Sequence, residues 1–591
     1  MTLRTHVKSA WERVNDMRDR RPSVVTPTVL AGASDALREQ LEAQAERVRV
    51  RAGEWLFREG EPADRAYLVR SGRLEVVVEH PREVVIRHLK RGTVVGELAL
   101  LSDSVRSASV RAARDSELAE LSRDRFETLM RSGPEFGLGL VRVMAAQIAS
   151  NRVPEAAPAR PRTIAVVPLD VAAPAAALSG ALLLALRRYG RADQVAPDPG
   201  ENANFAALLD RAESANRRVL LTARSHQPGD DWTDFCLKEA DLVLAVTTGV
   251  PDHAWRGRAA SLRGCELLVV DGSPEEDFVS ALAPSAVQVT RGERARSEAL
   301  AQLARRLVGR AVGLVLSGGG ARALAHLGVL DELDAEGIEV DRVAGASMGA
   351  IISGLAATGA PVPEIVEICR RHLVESNPSN DYILPAYSLI RGGKTRRALH
   401  AAFGNRRIEE LPKRWYSVSS DLLSRELVVH RTGPIVDAIY ASMAIPGIYP
   451  PWRDHGGRLL VDGGVIDNVP VEPMASRAEG PIIVVDVGSR AWRATGGARP
   501  RLEPAMRRLR WIMTGSERPV PRVSETILRT MTLGGTDSVA AALHHADVLI
   551  SPRVEGVGML DWKHLPRARE AGRRAARAAL VPVLAELRAG S

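Results

Sequence analysis

Residues 313–355 read GLVLSGGGARALAHLGVLDELDAEGIEVDRVAGASMGAIISGL and contain two glycine-rich turns. Each turn follows an apolar run typical of a buried strand and precedes a segment with helical spacing. The second turn, GASMG at residues 345–349, has the G-x-S-x-G pattern that can present a serine on a sharp strand-to-helix turn. This pattern makes Ser347 a candidate nucleophile. Gly345 and Gly349 would permit the tight turn and close packing of the helix on the strand.

The first turn supplies Gly318, Gly319 and Gly320. Backbone N–H groups at such a turn, next to the start of a helix, can stabilise the anionic tetrahedral intermediate of acyl transfer. A serine hydroxyl is almost wholly protonated at neutral pH, so Ser347 also needs a base. The stretch RLLVDGG at residues 458–464 offers one, because its aspartate, Asp462, ends a strand-like run at a glycine turn.

The order of these motifs, S-G-G-G-x-R, then G-x-S-x-G, then D-G-G, closely resembles the patatin-like phospholipase family. The resemblance extends over residues 312–489. It also includes ASMAIPG at residues 441–447, NVP at 468–470 and DVGS at 486–489.

This resemblance implies a serine esterase with a Ser-Asp dyad in place of a triad. The roles it implies are Ser347 as nucleophile, Asp462 as general base, and the amides around Gly318, Gly319 and Gly320 as an oxyanion hole supported by Arg322. Ser317 and Ala323 stand where related sequences often have glycine. Both residues are small, so we expect the turn to persist.

An ordinary α/β-hydrolase triad is the competing chemistry, with Ser347, Asp462 and a later histidine. His544, His545 and His564 are available, although no sequence feature directs them toward Ser347. We therefore favour the dyad. We interpret His326, on a predicted helix, as a packed or capping histidine.

The substrate implied by the family is a fatty-acyl ester, most readily a lysophospholipid. Residues 377–394 form a loop-like segment with Tyr382, Ile383, Leu384, Tyr387, Leu389 and Ile390 among prolines and glycines. This segment could be a lipid-facing lid or a loop packed on the core. The basic run at residues 567–577 could contact a membrane, but a solvated helix face is the simpler interpretation.

Short apolar runs separated by glycine turns indicate a small β-barrel or sandwich from residue 50 onward, followed by a helical segment at residues 123–152. Within it, GELALLSDSVRSASV at residues 96–110 resembles the phosphate-binding cassette of cyclic-nucleotide-binding domains. A helix begun at Gly96 would offer backbone amides to a cyclic phosphate, and Arg106 would add a charge-assisted partner. Glu97 could accept from a ribose hydroxyl. Leu98 and Ser107 complete the candidate nucleotide site, whose effector would be cyclic AMP or cyclic GMP.

The segment between these parts alternates apolar runs with helical stretches, which predicts a parallel α/β sheet. It has no glycine fingerprint or Walker pattern, so we expect it to bind no nucleotide. Residues 231–233 (DWT) and 240–242 (ADL) are similar to the middle region of the neuropathy target esterase family. The expected domains are a helical lead-in at 1–34, a cyclic-nucleotide-binding-like domain at 35–151, a Pro/Ala-rich linker at 152–162, a middle α/β domain at 163–290, a helical connection at 291–310, and a patatin-like esterase domain with its C-terminal completion at 311–591.

Composition limits the remaining partners. The 80 Lys+Arg against 72 Asp+Glu give a net charge of +8, which favours anionic partners such as an acidic membrane surface. No apolar run is long enough for a membrane span, and the three cysteines have no C-x-x-C spacing, so we expect a cytoplasmic protein with peripheral contact at the inner membrane face. We expect no metal and no required cofactor. No helix-turn-helix pattern follows the segment at 123–152, so we expect no nucleic acid partner.

The sequence therefore predicts a multidomain protein. It would have an N-terminal β-barrel-like cyclic-nucleotide-binding fold, a middle α/β domain and a C-terminal α/β patatin-like hydrolase with a mainly parallel sheet. The predicted function is hydrolysis of lipid esters under possible control by a cyclic nucleotide. The alternative is a nucleotide-responsive scaffold that keeps a non-catalytic hydrolase fold for binding lipid. The oligomeric state is left open.

Overall fold

The computed structural model describes residues 45–132, 160–196, 205–488 and 544–584. Within these ranges it leaves out residues 52, 79–83, 90–92, 102–103, 114–115, 379, 385–387, 555 and 559–560. The predicted lead-in at 1–34, most of the linker at 152–162, Tyr387 and Ser489 therefore lie outside the described residues.

The N-terminal domain consists of two four-stranded antiparallel sheets, as the alternating apolar pattern predicts. In β4, for example, Leu74 and Val76 are buried while Glu75 between them is only partly buried, because successive side chains point to opposite faces. The sheet orders are β1-β8-β3-β6 and β2-β7-β4-β5. The strands are β1 (Glu46–Val50), β2 (Trp55–Phe57), β3 (Arg65–Ser71), β4 (Leu74–Val78), β5 (Val84–Leu89), β6 (Val94–Val95), β7 (Ser109–Ala112) and β8 (Ser116–Ser122), with helices α1 (Glu97–Leu101) and α2 (Arg123–Ser132).

The middle domain is a six-stranded, wholly parallel sheet in the order β10-β11-β9-β12-β13-β14. Its first strand is buried along its whole length, as expected where helices cover both faces. The strands are β9 (Thr163–Pro168), β10 (Ala192–Val195), β11 (Arg218–Thr222), β12 (Leu242–Thr247), β13 (Glu266–Val270) and β14 (Ala286–Thr290). The helices are α3 (Ala175–Arg187), α4 (Phe205–Ala215), α5 (Asp231–Glu239), α6 (His253–Arg256), α7 (Glu276–Leu282) and α8 (Gly292–Val308).

Helix α8 does more than connect two domains. Its Leu300, Leu303 and Leu307 pack in the same hydrophobic core as the middle sheet. On another side, its Arg306 forms ion pairs with Glu266 of β13 at 2.8 Å and with Glu479 of the C-terminal domain at 3.1 Å. These buried ion pairs join the middle sheet to the C-terminal domain.

The described part of the C-terminal domain has eight strands in a mainly parallel sheet, which confirms the predicted fold class. Its order is β19-β20-β17-β16-β15-β21-β22, and β18 pairs with β17. Strands β15, β16, β17, β21 and β22 run parallel, whereas β18, β19 and β20 pair antiparallel. The strands are β15 (Gly313–Leu316), β16 (Arg342–Gly345), β17 (Arg414–Asp421), β18 (Leu427–His430), β19 (Trp452–Arg453), β20 (Leu459–Asp462), β21 (Ile482–Val485) and β22 (Val548–Ile550).

The helices of this domain cover the sheet and bury a continuous apolar core. Within the described residues they are α9 (Ala325–Ala335), α10 (Met348–Ala357), α11 (Val362–Cys369), α12 (Gly393–Phe403), α13 (Ile435–Met443), α14 (Glu472–Ala475) and α15 (Leu565–Leu580), with a π-helical turn at Arg370–Glu375. Within the ranges that the structure covers, no helix has both the length and the apolar character needed to cross a membrane.

Helices α9 and α15 approach so closely that glycine is required on both. A Cβ added to Gly328 would lie 1.8 Å from the carbonyl oxygen of Arg569, and one added to Gly572 would lie 1.9 Å from that of Ala325. The C-terminal helix is thereby fixed against the helix that follows the glycine triplet.

Candidate active site

Ser347 occupies the turn between β16 and α10. Its φ of 54° and ψ of −123° are an unusual backbone conformation for a residue with a side chain, and such conformations cluster at functional sites. The flanking glycines are required by close backbone contacts. A Cβ on Gly345 would lie 2.4 Å from the carbonyl of Gly349, and a Cβ on Gly349 would lie 2.2 Å from that of Leu316. The G-x-S-x-G pattern therefore forms the sharp turn that it predicts.

Asp462 lies at the end of β20, where its backbone pairs with Ser419 of β17, and β17 is the neighbour of β16. This antiparallel pairing brings the carboxylate to the carboxyl edge of the parallel strands, where Ser347 lies. The Ser347 side chain lies beside the Asp462 carboxyl, whose pKa it lowers as a hydrogen-bond donor. The fold therefore brings together the two residues that the sequence selected.

Burial controls the ionisation of Asp462. The carboxylate is almost inaccessible to solvent and accepts a hydrogen bond from the backbone N–H of Gly464 at 2.8 Å. Burial raises its pKa to about 6, although the hydrogen bonds of Ser347 and Gly464 favour the ionised form. Asp462 is therefore a stronger base than an ordinary aspartate and is still ionised at neutral pH.

The glycine triplet divides into two parts. The N–H of Gly318 donates to the carbonyl of Asn468 at 3.2 Å, and the side-chain amide of Asn468 donates back to the carbonyl of Gly318 at 3.4 Å. Among the described residues, the N–H groups of Gly319 and Gly320 have no hydrogen-bond partner in the protein. Gly318 thus anchors the loop, whereas the N–H groups of Gly319 and Gly320 stay available to a ligand.

Ser317 and His326 support the triplet from below. The Ser317 hydroxyl accepts from the N–H of Val487 at 3.0 Å, which is a contact that a glycine could not make. Nε2 of the buried His326 donates to the carbonyl of Ser317 at 2.9 Å. Burial lowers the pKa of His326 to about 4, so its ring is neutral at physiological pH and serves as a fixed donor. His326 is thus a packed histidine, in agreement with its sequence interpretation.

Arg322 extends away from the glycines. Its Nε donates to the carbonyl of Val557 at 3.1 Å, which ties the turn after the triplet to the segment following β22. Its backbone N–H donates to the carbonyl of Gly319 at 3.3 Å.

The histidines of the competing triad have other surroundings. His564 is half-exposed, and its Nδ1 lies 2.8 Å from the carboxylate of Asp561. His544 and His545 contact each other edge to face, with ring centroids 5.0 Å apart. Asp462 itself lies beside the Ser347 side chain, which is the position that a triad would give to histidine.

Ser442 is a site residue that sequence reasoning did not single out. It is fully buried near the end of α13, and its hydroxyl accepts from the backbone N–H of Ser347 at 3.0 Å. The bond holds the strained peptide of Ser347. Ser442 lies within the ASMAIPG motif, but nothing in that motif indicates which of its residues contacts the turn.

The loop at residues 377–394 is partly packed and partly exposed. Leu389 and Ile390 donate backbone bonds to Gly447 and Ile448, close in sequence to the Ala444 carbonyl that binds the N–H of Asp462. In contrast, Tyr382 and Leu384 are 75% and 90% exposed. The loop therefore packs on the core through Leu389 and Ile390, whereas Tyr382 and Leu384 face solvent.

In the N-terminal domain the cassette has the expected backbone. Gly96 has a φ of 85° and directly precedes α1, whose first residues are Glu97 and Leu98. Arg106 is buried, donates to the carbonyls of Gly96 at 3.1 Å and Arg65 at 2.8 Å, and lies over the ring of Phe57. A Cβ on Gly96 would lie 2.4 Å from Arg106 Nη1. Glu97 is buried, whereas Ser107 is exposed.

Comparison with known proteins assigns both functional domains. Residues 314–475 match the family model described as patatin-like phospholipase, and residues 47–132 match the cyclic nucleotide-binding domain. The C-terminal domain is thus that of a carboxylic ester hydrolase, and it is joined to a cyclic-nucleotide-binding domain. Among the described residues, no group of three His, Cys, Asp or Glu side chains is arranged to hold a metal ion.

Similarity over nearly the whole chain gives the family. An uncharacterized NTE family protein of Mycobacterium tuberculosis (strain CDC 1551 / Oshkosh) is 35% identical over 95% of this chain and 96% of its own length. Lysophospholipase NTE1 of Yarrowia lipolytica is 26% identical over 88% of this chain and 44% of its own length, and patatin-like phospholipase domain-containing protein 6 of Pongo abelii is 28% identical over 79% and 40%. The chain belongs to the NTE family.

Proposed function

We propose that this chain hydrolyses fatty-acyl esters of lysophospholipids with a Ser347-Asp462 dyad. The contact between the Ser347 hydroxyl and the buried Asp462 carboxylate carries the proposal, because it joins a nucleophile to a base whose pKa is about 6. The free N–H groups of Gly319 and Gly320 supply the electrostatic partner that a tetrahedral intermediate needs.

Acylation would begin when the Ser347 oxygen attacks the ester carbonyl and its proton moves to Asp462. Negative charge develops on the carbonyl oxygen, where Gly319 and Gly320 would donate. Collapse of the intermediate breaks the ester bond, and the leaving alcohol takes the proton from Asp462. In the second half, water attacks the acyl-serine while Asp462 accepts its proton. The fatty acid then leaves and Ser347 recovers its hydrogen.

Three observations support a lipid ester as substrate. The relative from Yarrowia lipolytica is named a lysophospholipase. Apolar side chains are exposed on segments near the site, namely Tyr382, Leu384, Leu422, Leu423 and Ile466. The net charge of +8 favours the anionic inner face of a membrane, where lipid esters are available.

A comparison of four proteins tests the dyad. We expect Ser347→Ala and Asp462→Asn each to abolish hydrolysis of a lysophospholipid and of an activated ester, because each removes one partner of the proton transfer. The control is His544→Ala, which should keep the wild-type rate. Full activity of Asp462→Asn would refute the dyad, and loss of activity in His544→Ala would favour a triad.

A serine-directed organophosphonate probe separates the enzyme from a lipid-binding scaffold. The enzyme should be labelled at Ser347, and the label should disappear in Ser347→Ala. An unlabelled wild-type protein that still binds lipid would favour the scaffold.

We also propose that the domain at residues 35–151 regulates hydrolysis through a cyclic nucleotide. The helix start after Gly96 offers amides to a cyclic phosphate. Arg106 lies against that glycine, where its guanidinium could exchange a carbonyl partner for the phosphate. Hydrolysis of a lysophospholipid panel with and without cyclic AMP and cyclic GMP tests this proposal. Unchanged rates despite measured nucleotide binding would contradict it.

A further inference from the structure

A basic cavity of about 440 Å³ lies between the end of β22 and helix α15. Strand β22 runs parallel to β15 and β16 in the same sheet, so the cavity opens beyond the edge at which Ser347 lies. Among the residues that the structure describes, its lining contains three arginines and no acidic side chain. The lining residues are Ser551, Arg553, Val554, Arg567, Ala571, Arg574 and Ala575.

The arginines of α15 fall into two groups. Arg569 pairs with Asp331 at 2.6 Å, while Arg573 and Arg577 pair with Glu332 at 3.2 and 2.9 Å. These three stabilise the contact between α15 and α9, so the basic run is not simply the solvated face that its sequence indicates.

The arginines that line the cavity differ from these three in having no ion-pair partner within the described parts of the chain. Arg567 and Arg574 form no ion pair or hydrogen bond with any described residue, and the same holds for Arg553 across the cavity. Arg567 and Arg574 lie two helical turns apart on one face, or roughly 10 Å along the axis. Three positive charges around a small opening repel one another, and an anion between them would relieve that repulsion.

The side chains that line the cavity indicate which kind of anion it would bind. Guanidinium groups bind phosphate through paired N–H donors, and the Ser551 hydroxyl adds a neutral donor or acceptor. Val554, Ala571 and Ala575 give the same cavity an apolar wall, which suits the carbon skeleton attached to a phosphate ester. A carboxylate would use fewer of these donors.

We propose that Arg553, Arg567 and Arg574 form a binding site for a phosphate ester, the chemistry that an anionic lipid headgroup shares with free phosphate. The site connects to the catalytic loop through the chain itself. Val557, a few residues beyond Arg553, accepts the hydrogen bond of Arg322, and Arg322 lies two residues after Gly320. An occupant would therefore steady the segment against which the oxyanion loop is held.

Binding is measured first with inorganic phosphate and with glycerol 3-phosphate, by calorimetry at constant ionic strength. The protein is the full chain with Ser347→Ala, so that hydrolysis cannot affect the result. We expect the double variant Arg567→Gln/Arg574→Gln to bind at least tenfold more weakly, because it loses two charge-assisted contacts. Arg263→Gln is the control, since Arg263 is an exposed arginine of the middle domain.

Vesicles of phosphatidylcholine with and without phosphatidylglycerol identify the source of the phosphate. Vesicle binding that depends on phosphatidylglycerol and is lost in the double variant supports a headgroup site. Binding of the soluble phosphates alone, lost in the same variant, supports a free phosphate. If the double variant binds every probe like the wild type, or if Arg263→Gln weakens binding equally, the proposal is wrong.

The proposal does not depend on the esterase assignment. Hydrolysis of an uncharged activated ester by the otherwise wild-type double variant serves as the separate readout. Loss of phosphate binding with retained hydrolysis confirms the site alone. An inactive wild-type protein that binds phosphate would contradict the proposed function and leave the site standing.

Discussion

The backbone N–H of Ser347 donates a hydrogen bond to the hydroxyl oxygen of Ser442 over 3.0 Å. The two residues are separated by 95 positions in sequence, and both are buried. Because Ser347 has a strained backbone with a φ of 54°, this contact fixes the direction in which its hydroxyl faces Asp462.

Replacing Ser442 should therefore impair chemistry more than substrate binding. In Ser442→Ala the N–H of Ser347 loses its partner, at a cost of about 1–2 kcal/mol. We expect kcat to fall roughly tenfold with little change in KM, measured on a lysophospholipid. The exposed Ser280→Ala serves as the control and should match the wild type. An unchanged kcat in Ser442→Ala would show that the turn at Ser347 keeps its conformation without this hydrogen bond.

The dyad predicts a single acidic limb in the pH profile. Burial raises the pKa of Asp462 to about 6, and only the ionised carboxylate can accept the serine proton. The kcat/KM for an uncharged ester should therefore be constant above about pH 7 and fall about tenfold for each pH unit below 6. The pKa of His326, lowered to about 4 by burial, should add no step between pH 5 and 8. A flat profile down to pH 4.5 would exclude Asp462 as the base.

The same burial predicts that the ionised form of Asp462 destabilises the fold. The pKa of Asp462 rises on folding, so the folded state binds more protons between the ordinary value and about 6, and stability falls as pH rises through that window. A pKa of about 6 in place of the ordinary 3.8 corresponds to a loss of roughly 3 kcal/mol of folding stability at neutral pH. Asp462→Asn should then be more stable than the wild type at pH 8 and similar to it at pH 4, measured by denaturant unfolding.

A second aspartate gives the matched comparison for this prediction. Burial also acts on Asp454, but the hydrogen bonds of Arg458 prevail and lower its pKa. Asp454→Asn should therefore reduce stability at neutral pH. If both asparagine variants change stability in the same direction, the assignment of a burial cost to Asp462 is wrong.

The close contact of α9 and α15 predicts that an alanine at Gly572 destabilises the protein. The same substitution at Gly180, in a helix outside this contact, should have the opposite effect. Gly572→Ala would place a Cβ 1.9 Å from the carbonyl of Ala325, and the required backbone shift should cost at least about 2 kcal/mol. Gly180→Ala in α3 meets nothing within 4 Å, so it should gain up to about 1 kcal/mol from helix propensity. Thermal unfolding measures both, and a stabilised Gly572→Ala would contradict the packing.

Local patterns were sufficient to predict much of this fold. The runs at residues 74–78 and 163–168 are strands with those bounds, because their apolar alternation or continuous burial leaves little choice. The sequence also predicts glycine turns at Ser347 and Asp462, and both turns do need their glycines.

Contacts between distant segments could not be read from such patterns. Asn468 meets Gly318 across 150 residues, so nothing near the glycine triplet shows that one of its three amides is already used. The same limit applies to α15. The sequence of α15 does not distinguish its arginines from one another. Asp331 and Glu332 on α9 decide which of them form ion pairs and which line the cavity.

The ion pair between Arg73 and Asp241 predicts how a nucleotide signal would leave the N-terminal domain. Arg73 lies between β3 and β4, and its guanidinium donates to both the carboxylate and the carbonyl of Asp241 in the middle domain. The two side chains are only 13% and 9% exposed. The Asp241 carboxylate also accepts from the N–H of Thr163 at 3.1 Å, where β9 begins, so the contact reaches the central strand of the middle sheet.

Arg73→Gln should abolish the response of hydrolysis to cyclic AMP or cyclic GMP while leaving the basal rate near that of the wild type. Basal chemistry depends on residues in the C-terminal domain, whereas coupling requires a contact that differs in energy between two states of the protein. Lys238→Gln is the control at the same junction. Its pair with Glu117 is longer, at 3.8 Å, and more exposed, so its loss should change the response little. The readout is the ratio of lysophospholipid hydrolysis rates with and without nucleotide, which should approach one in Arg73→Gln only. A wild-type ratio in that variant would show that the signal does not pass through this ion pair.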